Sequence, residues 1–149
     1  MCTIEREYSD LEHALEDIRA TLTEWADARA ESDPRAEAMR HTRVVVQEWL
    51  ANLLEHGHFA DRPPSITIRV RTTDETVYCE VLDNSEGFDL STKLSPSNAP
   101  VDRLPERGMG LRIMDACTTS LSYACQEDGL YRLAFSIPAD HDPWLNTPF

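Results

Sequence analysis

The sequence predicts an α+β fold in two layers, in which helices cover one face of a mainly antiparallel sheet. Two observations predict it: apolar residues recur at helical spacing before residue 57, and every second residue is apolar in segments after residue 65. The 149 residues fit one domain, which is large enough to bury a core without disulfide bonds or a structural metal. We therefore treat residues 1–149 as a single domain.

Two helices are predicted in the first part of the chain. A stripe of apolar residues marks the first one: Leu11, Leu15, Ile18, Leu22 and Trp25. It predicts an amphipathic helix over about residues 9–31, with Ser9 as its N-cap. A second helix follows and runs through about residue 57, because Pro34 suits the first helical turn and Gly57 suits the end. Trp25 and Trp49 are expected in the core.

Strands are predicted by the alternation of apolar and polar residues further along the chain. Residues 66–71 and 77–81 form one hairpin around the turn at 73–75, and residues 121–125 and 131–137 form another around 126–129. Residues 2–8 add a short edge strand. Two helices, a hairpin, a loop, a third helix and a second hairpin together predict the two-layer arrangement.

Composition excludes several classes of function. The net charge of −13, from 14 basic and 27 acidic residues, argues against broad nucleic-acid binding and favours protein partners. No apolar run reaches the roughly 20 residues of a membrane span, and the first residues lack a signal-peptide core, so we expect a cytoplasmic protein without membrane contact. Cys2, Cys79, Cys117 and Cys125 form no Cys-x-x-Cys pair and are interpreted as reduced thiols, with Cys79 and Cys125 packed in strands.

Glu48 and Asn52 are the first candidate site residues. In an α-helix, residues four apart differ by about one turn and about 40° of rotation, so both side chains project toward the same region. An asparagine oxygen is a hard ligand that suits Mg²⁺, and a glutamate can accept a proton from an attacking hydroxyl. The alternative is a solvated helix face.

Asp83 ends a predicted strand just before the polar segment Asn84-Ser85-Glu86-Gly87. A carboxylate at this point can accept a hydrogen bond from an exocyclic amine such as that of adenine. Gly87 allows the backbone to approach a ligand closely. An ordinary turn is the alternative for the same residues.

The segment Arg107-Gly108-Met109-Gly110-Leu111 precedes an apolar pattern typical of the first turns of a helix. Backbone N–H groups exposed by small residues at a helix start suit a polyphosphate, and Arg107 adds a charge-assisted bond to the terminal phosphate. No Gly-Lys-Ser/Thr follows, so this is not a Walker loop; a loop that needs positive φ is the alternative. In combination, the three segments predict three walls of one ATP site.

Residues 89–106 separate the second and third of these segments. They include three prolines and no sustained apolar period. Loops of this length in a compact domain are typically functional lids or flexible segments. We interpret this one as a mobile lid over a nucleotide, with a flexible surface loop as the alternative. In the tail, residues 139–149, Trp144 and Phe149 either fold back onto the domain or anchor a partner.

The combination resembles the GHKL ATPases, which include gyrase, heat-shock chaperone, mismatch-repair and histidine-kinase ATP domains. Within this superfamily, the chain is most similar to the bacterial anti-sigma-factor serine/threonine-protein kinases. The resemblance extends over about residues 2–137 and is carried by three motifs: Glu48-x-x-x-Asn52-x-x-x-His56-Gly57, Asp83-x-x-x-Gly87-Phe88-Asp89 and Glu106-Arg107-Gly108-Met109-Gly110-Leu111-x-Ile113-Met114. It implies a Bergerat ATP-binding fold with a mobile ATP lid.

The resemblance also implies a role for each site residue. Glu48 is the base that orients or deprotonates an incoming serine hydroxyl, and Arg107 shares charge neutralisation with Mg²⁺. Asn52 coordinates Mg²⁺, and Asp83 reads the adenine amine. The other ATP-binding residues are Gly87, Phe88, Gly108, Met109, Gly110 and Leu111.

Partners follow from the resemblance as well. Kinases of this kind pass the γ-phosphate to a serine of a small anti-anti-sigma (STAS-type) protein, hold a sigma factor, and are usually homodimers. Two alternatives remain open: a nucleotide-gated binding protein with little transferase activity, and a detached histidine-kinase ATP domain. A histidine kinase needs a pair of helices that carries a phosphoacceptor histidine before its ATP domain, and the first helix offers only His13, which is interpreted as a surface residue. His56 is interpreted as a capping or packing group.

One position departs from the family pattern. Ser85 stands two residues after Asp83, where the family has glycine. A positive φ at this position strains a serine, so the substitution predicts a weaker ATP site if the backbone keeps the glycine conformation.

Overall fold

A computed structural model of the protein describes residues 2–87 and 118–139. The elements in these ranges are β1 (Cys2–Tyr8), α1 (Leu11–Asp27), α2 (Pro34–His56), β2 (Ile66–Thr72), β3 (Thr76–Asp83), β4 (Ser120–Cys125) and β5 (Tyr131–Pro138). The five strands form one sheet in the order β1-β2-β3-β5-β4, and every neighbouring pair is antiparallel. The predicted α+β class, the edge strand β1 and both hairpins are confirmed.

The first helix starts and ends at other residues than predicted. Its N-cap is Asp10, not Ser9: the Asp10 backbone is extended, and its carboxylate accepts a hydrogen bond of 3.1 Å from the Glu12 N–H. A carboxylate satisfies an otherwise unpaired N–H and also interacts favourably with the positive helix start. The helix ends at Asp27 rather than near residue 31. Just beyond, Arg29 donates to the Trp25 carbonyl at 2.9 Å.

The second helix begins and ends as expected. The Asp33 side chain accepts from the Arg35 N–H at 2.9 Å, and Pro34 is the first helical residue. Gly57 follows the last residue and donates its N–H to the Leu53 carbonyl at 2.8 Å. The long α2 therefore carries Glu48 and Asn52 near its C-terminal end.

The core lies between the helices and one face of the sheet. Trp49 is fully buried and Trp25 is 8% exposed, as expected. Alternate residues of β3, namely Val77, Cys79 and Val81, are buried against the helices. Because side chains alternate along a strand, Asp83 shares this face, and its side chain is 0% exposed. The strand period thus places a carboxylate in the space between the layers.

The cysteines divide between the core and the surface. Cys79 is buried, as expected, and burial raises the pKa of its thiol. The expectation that Cys125 is packed is wrong: it is exposed, because it is the last residue of the edge strand β4. His13 is exposed, as expected. In the described part of the chain, no helix has the length and apolarity needed to cross a membrane.

Candidate functional site

Glu48 and Asn52 lie on the half-buried side of α2, one turn apart. Their neighbours Trp49 and Leu53 are fully buried, whereas Glu48 and Asn52 keep partial access to solvent. The Asn52 Nδ2 atom is shielded from solvent and has no hydrogen-bond partner among the described residues. A buried amide that the protein does not satisfy is costly, and a ligand bound beside it can remove this cost. The Nδ2 group is a hydrogen-bond donor, so it fits an acceptor such as a phosphate oxygen. Coordination of Mg²⁺ through the amide oxygen of Asn52 stays a prediction.

Asp83 has one satisfied and one unsatisfied carboxylate oxygen. Oδ1 accepts a hydrogen bond of 2.9 Å from the Ser85 N–H. Oδ2 is shielded from solvent and has no partner among the described residues. Burial raises the pKa of Asp83, and hydrogen bonds from Ser85 offset part of the rise. An unpaired acceptor in this position fits a ligand that brings an N–H donor, as the adenine amine does.

Ser85 adopts a conformation that suits a serine. Among the described non-glycine residues only Ala60 has a positive φ, so the strain considered for Ser85 does not occur. Ser85 is buried, and its hydroxyl accepts a hydrogen bond of 3.1 Å from the Gly87 N–H. Together with the bond to Asp83, this contact holds the turn after β3. The residue that replaces glycine here is part of the turn's own hydrogen bonding.

Gly87 is required by two features of the structure. Its φ is +84°, a conformation that side-chain-bearing residues rarely adopt. A Cβ at this position would also overlap the ring of Tyr131, at 2.5 Å from Cε1 and 2.7 Å from Cε2. The need for glycine is therefore explained within the protein. A role in backbone approach to the nucleotide stays a prediction.

Asn84 ties together the two segments that border the site, a role that the sequence analysis missed. Its Oδ1 accepts from the Ser65 N–H at 2.8 Å, and its Nδ2 donates to the Pro63 carbonyl at 2.9 Å. Nearby, the Glu86 N–H donates to the His58 carbonyl at 2.7 Å. The segment after α2 is thereby fastened to the turn after β3. An asparagine directly after a strand is a signal for such side-chain to backbone bonding.

Replacing Asn84 is expected to loosen this connection. Asn84→Ala removes two hydrogen bonds, each contributing about 1 kcal/mol, and should lower the free energy of unfolding by about 1–2 kcal/mol in urea titrations. Asn84→Asp is the matched control, because it keeps the acceptor for Ser65 and loses only the donor to Pro63. Equal stability of the wild type and the alanine variant would contradict this role.

Asp83 is expected to make stability depend on pH. Its folded-state pKa is raised above the unfolded value, so its contribution to stability is fully present below the unfolded pKa of about 4 and is lost as pH rises toward the folded pKa. Asp83→Asn removes this titration. The difference in free energy of unfolding between variant and wild type should grow in favour of the variant as pH rises above about 4. Parallel pH profiles in urea titrations would contradict it.

Helix α2 carries Glu48 and Asn52, and strand β3 ends at Asp83. Helix α2 packs against β3 and β5, and Trp49 of α2 contacts Tyr123 of β4. The other predicted site residues lie outside the described residues: Phe88, Arg107, Gly108, Met109, Gly110 and Leu111. So do the lid, residues 89–106, and all but the first residue of the tail. In residues 2–87 and 118–139 no cluster of three metal-binding side chains occurs.

A five-stranded antiparallel sheet packed against two helices is the fold class of GHKL-type ATPase domains. The family model described as "Histidine kinase-like ATPase domain" matches residues 8–133, so the chain belongs to this family. An ATPase domain of this family implies ATP binding.

Curated relatives are anti-sigma factors and a protein kinase. The chain is 27% identical over 94 residues to an anti-sigma F factor of Lysinibacillus sphaericus, a match that covers 62% of this chain and 64% of the relative. It is 27% identical over 110 residues to the anti-sigma F factor of Bacillus subtilis (strain 168), which covers 73% of each. It is 30% identical over 82 residues to the serine-protein kinase RsbW of Bacillus mycoides (strain KBAB4), over 52% of this chain and 51% of the relative. The resemblance stated from the motifs is confirmed.

Proposed function

We propose that the protein is an ATP-dependent protein-serine kinase and an anti-sigma regulatory factor. The observation that carries the proposal is the unpaired, buried Oδ2 of Asp83 at the end of β3, the strand against which the helix of Glu48 and Asn52 packs. We assign base recognition to Asp83, magnesium binding to Asn52 and general-base catalysis to Glu48. Similarity to a relative named serine-protein kinase supports phosphoryl transfer as the reaction.

Each described residue has a separate task. The unpaired Oδ2 of Asp83 accepts a hydrogen bond from the adenine amine, and the Ser85 N–H holds Oδ1 by a hydrogen bond. Asn52 holds the metal ion through its amide oxygen. Glu48 orients the incoming serine hydroxyl and accepts its proton. When bound, ATP would supply the γ-phosphoryl group and Mg²⁺ would neutralise its charge, which is the main requirement of this chemistry.

The proposed partners are proteins. The phosphorylated serine belongs to an anti-anti-sigma protein of STAS type, and the second partner is a sigma factor or a similar protein. The names of the relatives, anti-sigma F factor and serine-protein kinase RsbW, support this pair of partners. The net charge of −13 supports protein rather than nucleic acid as the binding partner. We also propose that the protein acts as a homodimer.

The structure weakens the argument for the alternative of a nucleotide-gated binding protein with little transferase activity. That reading rested on strain at Ser85, and Ser85 is unstrained and hydrogen-bonded to the site turn. Active transfer is therefore the preferred proposal.

Transfer of label from ATP tests the proposal. The purified protein is mixed with Mg²⁺, ATP labelled at the γ-phosphate and each STAS-type protein of the same cell, and labelled products are mapped by mass spectrometry. Label on one serine of one STAS-type protein is expected. ATP binding without label on any serine would support the nucleotide-gated binding protein instead, and label on a histidine would support the histidine-kinase alternative.

A further inference from the structure

Tyr131 lies directly beside the base-reading carboxylate. In the antiparallel ladder of β3 and β5, Asp83 and Tyr131 are opposite one another, so their side chains share a face. The Cβ atoms of such partners are about 5 Å apart. The face is the buried one, because Leu133, two residues further along β5, is 0% exposed. A half-buried tyrosine is therefore the cross-strand neighbour of Asp83, whose Oδ2 is unpaired among the described residues.

Contacts hold the Tyr131 ring in place from several directions. The ring lies against Gly87, so closely that a Cβ could not be accommodated there. It stacks on Tyr123, with ring centroids 5.3 Å apart and planes 23° apart. Tyr123 in turn packs against Trp49 in a T-shaped arrangement, with ring centroids 5.0 Å apart and planes 65° apart. Trp49 lies between Glu48 and Asn52 on α2, so this aromatic row links the helix wall of the site to its strand wall.

We propose that Tyr131 is a specificity-determining residue of the base site, whose ring closes the space beside Asp83 and restricts the site to an unsubstituted exocyclic amine. The inference rests on the proposed nucleotide-binding function. The sequence analysis gave Tyr131 no role, because it lies 48 residues from Asp83 in the chain and 44 residues from Gly87.

The physical reason is the rigidity of the ring. A ligand amine that donates to Asp83 needs one N–H, so a substituted amine still has the donor that it requires. The substituent, however, needs room next to the carboxylate. Tyr131 cannot move aside without giving up its stacking on Tyr123 and its contact with Gly87. The ring therefore selects by size where the carboxylate selects by hydrogen bonding.

Binding of ADP and of N6-benzyl-ADP to the wild type, Tyr131→Ala and Tyr131→Phe tests the proposal by titration calorimetry. The wild type and Tyr131→Phe, which keeps the ring, should prefer ADP by about tenfold or more, as a close-packed site does against an added group. Tyr131→Ala should lose most of this preference by gaining affinity for N6-benzyl-ADP. An unchanged preference in Tyr131→Ala, with ADP still bound, would overturn this inference and leave the proposed function standing.

A stability measurement tests the packing without any nucleotide. Gly87→Ala should be strongly destabilising when Tyr131 is present and less destabilising in the Tyr131→Ala background. The cost of a positive φ at an alanine is the same in both backgrounds, so it cancels in the double-mutant cycle. Additive effects would overturn the claim that the ring is fixed against Gly87. If the cycle shows coupling and none of the proteins binds ADP, the proposed function fails and the assignment of Tyr131 to a base site fails with it. Tyr131→Leu replaces Tyr131→Ala in both measurements if the alanine variant does not fold.

Discussion

Glu48→Gln is expected to slow phosphoryl transfer to the partner serine by about 10²–10⁴ while nucleotide affinity stays the same. A general base contributes acceleration of this size, and glutamine keeps the shape of the side chain but cannot accept the proton. Glu48 is half-buried on α2, beside the fully buried Trp49, so the isosteric change should preserve the packing of the helix. Single-turnover transfer of labelled phosphate and calorimetric binding of ATP measure the two quantities separately.

Glu55→Gln is the control for this substitution. Glu55 lies on the same helix, is exposed, and its removal changes the net charge by the same amount. Transfer should be unaffected in this control. If Glu48→Gln transfers phosphate at the wild-type rate, Glu48 is a structural or orienting residue and not the base.

Asn52→Ala is expected to weaken the binding of ATP in the presence of Mg²⁺ by about tenfold or more, which corresponds to about 1.4 kcal/mol. The substitution removes the amide oxygen that we assign to the metal ion. Binding measured in EDTA should be much less affected, because the contribution of the metal is then absent from both proteins. The ratio of the affinities with and without Mg²⁺ is therefore the informative quantity.

Stability separates a ligand role for Asn52 from a structural one. The Asn52 Nδ2 atom makes no hydrogen bond to the described residues, so Asn52→Ala breaks no such bond and should not lower the free energy of unfolding by more than about 1 kcal/mol. Asn52→Asp keeps a hard oxygen ligand and should retain binding that depends on Mg²⁺. A large loss of stability together with an unchanged affinity ratio would contradict the metal assignment.

Local patterns predicted the secondary structure because helix and strand periods depend on neighbouring residues. The start of α2 followed from Asp33 and Pro34, and both hairpins followed from alternation around polar turns. Errors arose where two adjacent residues compete for one role. Ser9 and Asp10 are both good N-caps, and the choice of Asp10 rests on the geometry of one hydrogen bond.

The order of the strands in the sheet could not be predicted from these patterns. The second hairpin is inserted so that β5, the later of its two strands, pairs with β3, and β4 becomes the edge. This order decides that Cys125 is exposed and that Asp83 faces Tyr131. Pairing between distant strands depends on packing of the whole sheet, which a local period does not contain.

The sequence by itself determined the fold class, the family motifs and the pairing of Glu48 with Asn52 on one helix, because each depends on short spacings and residue chemistry. It also led to the prediction that Asp83 recognises the adenine base. Only the tertiary structure decided that Ser85 is unstrained, that Asn84 fastens two segments, and that Tyr131 borders Asp83. The physical reason is that backbone conformation and contacts between distant residues arise from packing of the complete domain, whereas periodicity records only which face of each element is buried.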